Sequence, residues 1–192
     1  MDNKKQTITL SAIDVFQEKG IEKATVSDIV KGAGIAQGTF YLYFPSKLSI
    51  MPSIAEILIE RTLQRFRETF DSSTDFPTQL KQIVDIVFDY TEKYHDLYAI
   101  LYVGMGSNKQ LDQWETIYEP YYERISEVIS QAQANDAVWP TLHPKKTAIM
   151  LIGFIESAAD QSYLFDQADT ETVQIKKEDL IGLLLHGLSP KQ

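Results

Sequence analysis

Residues 25–47 read TVSDIVKGAGIAQGTFYLYFPSK, and this stretch decides how the N-terminal part of the chain folds. Thr25 is a typical N-cap residue, and Asp28 three positions later completes a variant of the capping box. Gly34 can take a left-handed turn conformation without steric cost. The stretch therefore predicts two short helices joined by a tight turn, the second of them covering residues 37–44.

The two predicted short helices each have an apolar and a polar side. Four apolar side chains can form a small shared core: Ile29, Ile35, Phe40 and Phe44. The opposite side of the second helix carries Gln37, Thr39, Tyr41 and Tyr43. A short helix with polar groups at its N-terminal end fits the major groove of DNA. The pattern thus indicates a helix-turn-helix.

The remaining apolar residues recur at helical spacing, which predicts an all-α protein of about nine helices in total. Gly20 is expected to end the first helix, and Pro52 to kink or split off the first turn of the helix that follows Lys47. Pro120 is expected to bend a later helix. Besides the two short helices, the predicted helices cover residues 5–19, 47–70, 77–93, 95–104, 108–134, 144–167 and 175–187.

Composition and charge are compatible with a soluble DNA-binding protein. The chain has 192 residues, of which 44% are hydrophobic and 23% charged, as is usual for globular proteins. The net charge of −9 opposes nucleic-acid binding, but it is unevenly distributed. Residues 1–50 carry six lysines against five acids, a balance of +1, whereas residues 51–192 carry twelve basic against twenty-two acidic residues, a balance of −10.

Several classes of protein are excluded or disfavoured. The absence of cysteine excludes disulfides, thiolate metal sites and cysteine catalysis. The three histidines are far apart, and neither a glycine-rich phosphate loop nor a nucleophile elbow is present. We therefore expect no enzyme activity, no cofactor and no metal. No apolar run approaches the ~20 residues of a membrane span, and the N-terminus lacks a signal peptide, so we expect a cytoplasmic protein without membrane contact.

Residues 16–47 resemble the TetR/AcrR family of transcriptional repressors. The matching segments are FQEKG at 16–20, TVSDI at 25–29, AGI at 33–35, GTFY at 38–41 and YFPSK at 43–47. The resemblance implies an N-terminal three-helix DNA-binding domain with a helix-turn-helix, residues 1–48. A helical ligand-binding and dimerisation domain, residues 49–192, is expected to follow it.

The resemblance also implies roles for individual residues. The expected phosphate contacts are Thr25, Ser27, Tyr41, Tyr43 and Lys47. The expected base contacts are Gln37, Gly38 and Thr39, since glutamine can pair with adenine and threonine can touch a thymine methyl group. Ala36 departs from the small hydroxyl residue frequent in the family, so a hydrogen bond is missing there. The alternative for Tyr41 and Tyr43 is that they are half-buried surface aromatics that touch no DNA.

The C-terminal part is rich in aromatic residues. Tyrosines recur every four residues from Tyr90 to Tyr102, and Trp114 and Tyr118 follow. An aromatic pocket with acidic neighbours suits a small cationic or lipophilic effector. The predicted ligand contacts are Tyr94, Tyr98, Tyr102, Trp114, Tyr118 and Glu156. A tyrosine stripe at helical spacing is more often typical of core packing with the hydroxyls at its edge. Glu156 and Asp160 could instead face a dimer partner or solvent, so these alternatives stay open.

The last two predicted helices combine small residues with apolar ones, which favours close helix packing. In the resembled family, equivalent helices form a four-helix bundle across a two-fold axis. The predicted dimer interface comprises Leu151, Phe154, Ala158, Ile181, Leu184 and Leu185. Two recognition helices related by a two-fold axis read a palindromic operator in double-stranded DNA.

The sequence thus predicts a homodimeric, DNA-binding repressor that a small-molecule effector releases from its operator. The alternative is a helical small-molecule or partner-binding protein without specific DNA binding. The discriminating feature is the exposed polar side of the second short helix, because a protein that binds no DNA has no need of it.

Overall fold

A computed structural model describes residues 3–105 and 111–190, with the side chains at 103–105 and 111–113 excepted, and within them every regular element is helical. The predicted all-α fold is confirmed. Eight α-helices follow one another: α1 Asn3–Lys23, α2 Val26–Ala33, α3 Gln37–Tyr43, α4 Met51–Thr69, α5 Phe76–Met105, α6 Leu111–Ala134, α7 Pro144–Asp160 and α8 Thr170–Leu188. A short 3₁₀ turn, Leu48–Ile50, precedes α4, and a π-helical turn, Gln161–Phe165, follows α7.

The predicted helix boundaries are confirmed where a local signal marks them. Gly20 takes φ 75° and interrupts α1, and the 3₁₀ turn before α4 is the first turn that Pro52 was expected to split off. The described helices number eight rather than nine, because Tyr94 (φ −118°, ψ 21°) breaks α5 without separating its halves. Pro120 lies inside α6, which continues through it. The first residues of the predicted helix 108–134 lie outside the described residues.

One helix begins earlier than predicted. The sequence pattern placed its start at residue 175, but α8 begins at Thr170. The side chain of Asp169 accepts a hydrogen bond from the backbone N–H of Thr172 at 2.8 Å and so caps the helix. An N-cap aspartate satisfies one of the unpaired donors of the first turn, and apolar periodicity does not detect it.

The described residues divide into two compact units. The first comprises those of Met1–Ile59 and Asp96–Ile117, and the second those of Glu60–His95 and Tyr118–Gln192. The domain boundary predicted after residue 48 stays a prediction. The core of the N-terminal helices contains fully buried Ile8, Ala12, Ile29, Phe40 and Ile50.

Charged side chains link the helices of the second unit. The guanidinium of Arg124 in α6 lies 5.2 Å from the ring centre of Phe66 in α4. Lys177 in α8 pairs with Asp85 in α5, and Lys145 in α7 pairs with Glu119 in α6. Fully buried residues of this unit's core include Leu80, Phe88, Ile125, Ile152 and Ile155.

None of the described helices is by itself long and apolar enough to cross a membrane. Two helical segments joined by a bend, Gln37–Tyr43 and Leu48–Thr69, together reach the length and apolar composition of a membrane span.

Candidate nucleic-acid interface

The start of α2 is held by a complete capping box. The Thr25 hydroxyl accepts a hydrogen bond from the backbone N–H of Asp28 at 3.2 Å, and the Asp28 carboxylate accepts one from the Thr25 N–H at 3.0 Å. The Thr25 hydroxyl also donates to the same carboxylate at 2.7 Å. A hydroxyl has one proton to donate, so this arrangement leaves Thr25 none for a phosphate. The exposed Ser27 lies in the first turn of α2.

Asp28 is the electrostatic centre of this cap. Its carboxylate accepts a hydrogen bond from Lys19 Nζ at 2.7 Å, which ties α2 to the end of α1. The hydrogen bonds from Lys19 and then from Thr25 lower the pKa of Asp28 to about 2. The same contact with Asp28 raises the pKa of Lys19. Both groups are therefore charged at neutral pH, and the capping box stays intact there.

The turn between α2 and α3 depends on Gly34. It takes φ 64° and ψ 35°, the left-handed conformation that glycine adopts without strain. The N–H of Ile35 then bonds to the carbonyl of Val30 at 3.0 Å, as in a Schellman motif. The following Ala36 caps α3 without a side-chain hydrogen bond. The predicted turn conformation of Gly34 is thus confirmed.

Close packing of α1 on α2 depends on a glycine that the sequence analysis missed. A Cβ at Gly32 would overlap Oγ of Ser11, which donates a hydrogen bond to the carbonyl of Ile29 at 2.8 Å. The sequence pattern gave no signal for Gly32, because Ser11, the residue that it contacts, lies 21 positions earlier in the chain.

α3 presents most of its predicted DNA contacts to solvent. Phe40 is fully buried and packs against Phe44, with ring centres 5.6 Å apart. Gln37, Gly38 and Tyr41 are exposed, whereas Thr39 and Tyr43 are half-buried. Leu42, which the sequence analysis did not single out, is 82% exposed. Helical periodicity could have found Leu42, since it stands two residues after the buried Phe40.

The side chain of Lys47 forms hydrogen bonds within the protein. Its Nζ donates to the backbone carbonyls of Ile21 at 2.5 Å, Ala24 at 2.8 Å and Glu22 at 3.4 Å. An ammonium has three protons, so all of its donors are directed at the end of α1. The predicted phosphate contact of Lys47 stays a prediction, but this geometry favours a positioning role for the side chain.

The predicted ligand residues fall in different units. Tyr98, Tyr102 and Trp114 belong to the first unit, and Tyr94, Tyr118 and Glu156 to the second. The Tyr94 ring already has the cations of Arg61 and Lys93 at 5.5 and 5.2 Å from its centre. Tyr118 pairs with Tyr122, with ring centres 5.7 Å apart.

Glu156 lies in an environment that opposes its ionisation. It is half-buried on α7, one turn before the buried Asp160. Desolvation, and then the charge of Asp160, raise the pKa of Glu156 to about 8. Neutralisation of a desolvated carboxyl group, or its pairing with a cation, relieves this cost. A cation beside Glu156 and Asp160 would therefore lower this cost, whereas an anion would add to it.

An apolar groove runs along α7 and α8 in the second unit. It has a volume of about 600 Å³. Three of the predicted dimer residues line it, Leu151, Phe154 and Leu184, while Ala158, Ile181 and Leu185 are half-buried outside its lining. The other lining residues are Leu142, Thr147, Met150, Leu183, Gly187 and Leu188. Met150, Phe154 and Leu183 are exposed there.

Two family models match the chain. One, described as bacterial regulatory proteins of the tetR family, matches residues 8–54, which include α2 and α3. The other, described as the C-terminal domain of tetracyclin repressor-like proteins, matches residues 80–188. The HTH-type transcriptional regulator YvdT of Bacillus subtilis (strain 168) is 39% identical over 185 residues, which cover 96% of this chain and 95% of that protein.

Solved structures share the fold. The fatty acid degradation regulator FadR from Bacillus halodurans has a TM-score of 0.74 at 23% identity, covering 100% of this chain and 99% of that one. FadR from Bacillus subtilis in complex with stearoyl-CoA has a TM-score of 0.70 at 22% identity, covering 95% and 98%. At these low sequence identities, the similarity to the two FadR structures shows a shared fold.

Proposed function

Because the chain belongs to the TetR family of ligand-responsive, DNA-binding transcriptional regulators, we propose that it is a homodimeric repressor of a palindromic operator, released by a cationic, lipophilic effector. The DNA-binding part of this proposal rests on the exposed side of α3. The capped α2 and the left-handed turn at Gly34 hold α3 in place.

The roles on the interface follow from exposure and from available hydrogen-bond groups. Gln37 and Thr39 read base edges, and Gly38 lets the backbone approach them. Tyr41 and Tyr43 contact phosphates from the flanks of α3. At the start of α2, Ser27 supplies a hydroxyl where the helix dipole attracts an anion. Phosphate contacts of this kind fix the register of the protein, whereas base contacts supply specificity.

Thr25 and Lys47 act on DNA binding through the backbone that they hold. The Thr25 hydroxyl keeps α2 capped, and the Lys47 ammonium keeps the end of α1 attached to the start of α4. We therefore propose that Ser27 contacts a phosphate directly, and that Thr25 and Lys47 position the backbone around it.

The groove on α7 and α8 is the proposed dimer surface. A groove of about 600 Å³ with exposed Met150, Phe154 and Leu183 is apolar area that a second copy can cover. A two-fold axis through it makes the contact self-complementary. A two-fold dimer reads a palindromic operator when its two copies of α3 lie about 34–36 Å apart, one turn of DNA.

Effector binding is coupled to the interface through the first unit. The described residues of Asp96–Ile117 form one compact unit with those of Met1–Ile59, and a cleft of about 410 Å³ in that unit is lined by both Tyr43 and Thr116. An effector that contacts Tyr98, Tyr102 or Trp114 therefore acts on the unit that carries α3. It shifts the equilibrium only if it prefers the conformation that does not bind the operator.

The chemistry of Glu156 and Asp160 favours a cation over an anionic thioester such as the stearoyl-CoA bound by the Bacillus subtilis structure. The ligand contacts of Tyr94, Tyr118 and Glu156 remain predictions, as does the cytoplasmic location.

DNA binding is tested by selection of bound sequences from a random double-stranded pool with the full-length protein. We expect an enriched palindrome. Thr39→Ala relaxes the preference at particular bases, whereas Ser27→Ala weakens binding evenly across sequences. Phe165→Ala, an exposed residue of the second unit, is the matched control. Absence of any enriched sequence, with no binding at low salt, contradicts the proposal and favours the protein without specific DNA binding.

The effector class is tested on the enriched operator. Tetraphenylphosphonium represents lipophilic cations, and lauroyl-CoA represents acyl thioesters. We expect the cation to release the operator in fluorescence anisotropy, and Glu156→Gln to weaken that response. Release by lauroyl-CoA alone would overturn the cationic assignment and leave the DNA-binding proposal intact.

A further inference from the structure

The orientation of α3 is defined by one buried side chain. Phe40 is fully buried, and its ring packs against Tyr41 and Phe44. Successive residues of an α-helix are rotated by about 100° around its axis. Gly38 and Leu42 stand two positions before and after Phe40, so each lies about 160° away from it. These two residues form the centre of the exposed side of α3.

Gly38 is not required by the fold. It has helical dihedral angles within α3, and a Cβ built on it meets no atom within 4 Å. Glycine destabilises a helix relative to alanine, because its backbone loses more freedom on folding. The missing side chain therefore leaves room for something outside the chain to approach this point of the helix.

Leu42 projects next to that space. Its side chain is 82% exposed, the highest value among the large apolar residues of the structure's described part. A single exposed leucine on a protein surface is ordinary. This one lies one helical turn from Gly38, at the centre of a side whose edges carry Gln37 and Tyr41. Leucine has neither donor nor acceptor, so it can recognise only an apolar group.

We propose that Leu42 determines specificity by packing against the C5-methyl group of a thymine, while Gly38 leaves the space that lets α3 approach that base pair. The methyl group of thymine is the one apolar group among the major-groove edges of the four bases. This inference rests on the proposed function, because it requires that α3 lie in the major groove with its exposed side towards the bases.

The test removes the methyl group from the DNA and the side chain from the protein. Deoxyuridine has the hydrogen-bonding groups of thymidine without the methyl, so each operator thymine is replaced by deoxyuridine in turn. Affinities of the full-length protein are measured by fluorescence anisotropy. For the wild type we expect one position per half-site at which the replacement weakens binding about fourfold, the value for one buried methyl group. For Leu42→Ala the replacement has no effect there.

Two variants serve as controls. Leu42→Met keeps an apolar side chain of similar reach, and the deoxyuridine effect should persist. Gln37→Ala removes a neighbouring base contact, and the deoxyuridine effect at the Leu42 position should also persist. Since Leu42 is exposed, circular dichroism melts of Leu42→Ala should coincide with those of the wild type. Gly38→Ala should leave the melting temperature unchanged or higher, yet weaken operator binding at least tenfold.

The outcomes separate this inference from the function on which it rests. If the wild type selects an operator but no thymine responds to deoxyuridine, or if the response persists in Leu42→Ala, the role of Leu42 is overturned and the repressor function stands. If Gly38→Ala binds as tightly as the wild type, the space at Gly38 has no role in DNA approach. If the wild type selects no sequence, the proposed function fails, and the inference with it.

Discussion

The ammonium of Lys47 lies 2.8 Å from the carbonyl oxygen of Ala24, across 23 positions of the sequence. With its bonds to Ile21 and Glu22, this contact closes the end of α1 against the segment that leads into α4. Carbonyls at the end of a helix lack intrahelical partners, and a cation stabilises them by hydrogen bonding and by its charge.

Lys47→Met should destabilise the protein by about 1–3 kcal/mol, because it removes charged hydrogen bonds and keeps the apolar stem. In urea unfolding, the midpoint should fall while the slope stays constant. Lys31→Met, at an exposed lysine of α2, is the control and should change neither.

The same variant distinguishes a positioning role from a phosphate contact. A positioning role leaves the salt dependence of operator binding unchanged. A phosphate contact would reduce the slope of log K against log salt by about 1. A reduced slope with unchanged stability would restore the sequence-based assignment of Lys47.

Gly32→Ala should destabilise the protein by about 1–3 kcal/mol through overpacking against Ser11. The penalty should be smaller when Ser11 is also replaced by alanine, since the clashing hydroxyl is then absent, and a double-mutant cycle by thermal unfolding measures this coupling. Gly38→Ala is the matched control, because a Cβ there meets no neighbour. Additive effects of the two substitutions would show that Ser11 and Gly32 are not in contact.

Leu183→Glu should shift the protein from dimer to monomer, because it places a charge in the apolar groove of α7 and α8. Sedimentation velocity at micromolar concentration measures the change. Ile175→Glu is the control on the same helix: Ile175 is 55% exposed, against 59% for Leu183, but it lies outside the groove lining. A dimer that tolerates Leu183→Glu and dissociates with Ile175→Glu would place the interface elsewhere.

Glu156 should make the protein less stable as the pH rises. Its folded-state pKa, raised to about 8, exceeds the ordinary value of 4.5, so the folded state binds the proton more tightly. The stabilisation is complete below about pH 4.5 and disappears as the pH rises through about 8. Glu156→Gln should therefore stabilise the protein on the order of 4 kcal/mol at pH 8.5 relative to its effect at pH 5. Chemical unfolding at both pH values measures this, with Glu123→Gln as the exposed control.

Short-range signals predicted much of the interface. The capping box joins residues three positions apart, and the left-handed turn belongs to Gly34 alone. The missing side-chain cap at Ala36 follows from its methyl group. The break at Tyr94 also lies between the predicted helices 77–93 and 95–104, although the two halves remain one helix. Such features depend on a residue and its immediate neighbours, so a sequence pattern contains them.

The sequence by itself thus determined the helical class, the turn between α2 and α3, and the polar side of the second short helix. Only the tertiary structure decided the partners of Lys47, the contact of Ser11 with Gly32, and the desolvation of Glu156. The physical reason is range. Dihedral preferences and caps act within one helical turn, whereas these three depend on which distant segments fold against one another and exclude water between them.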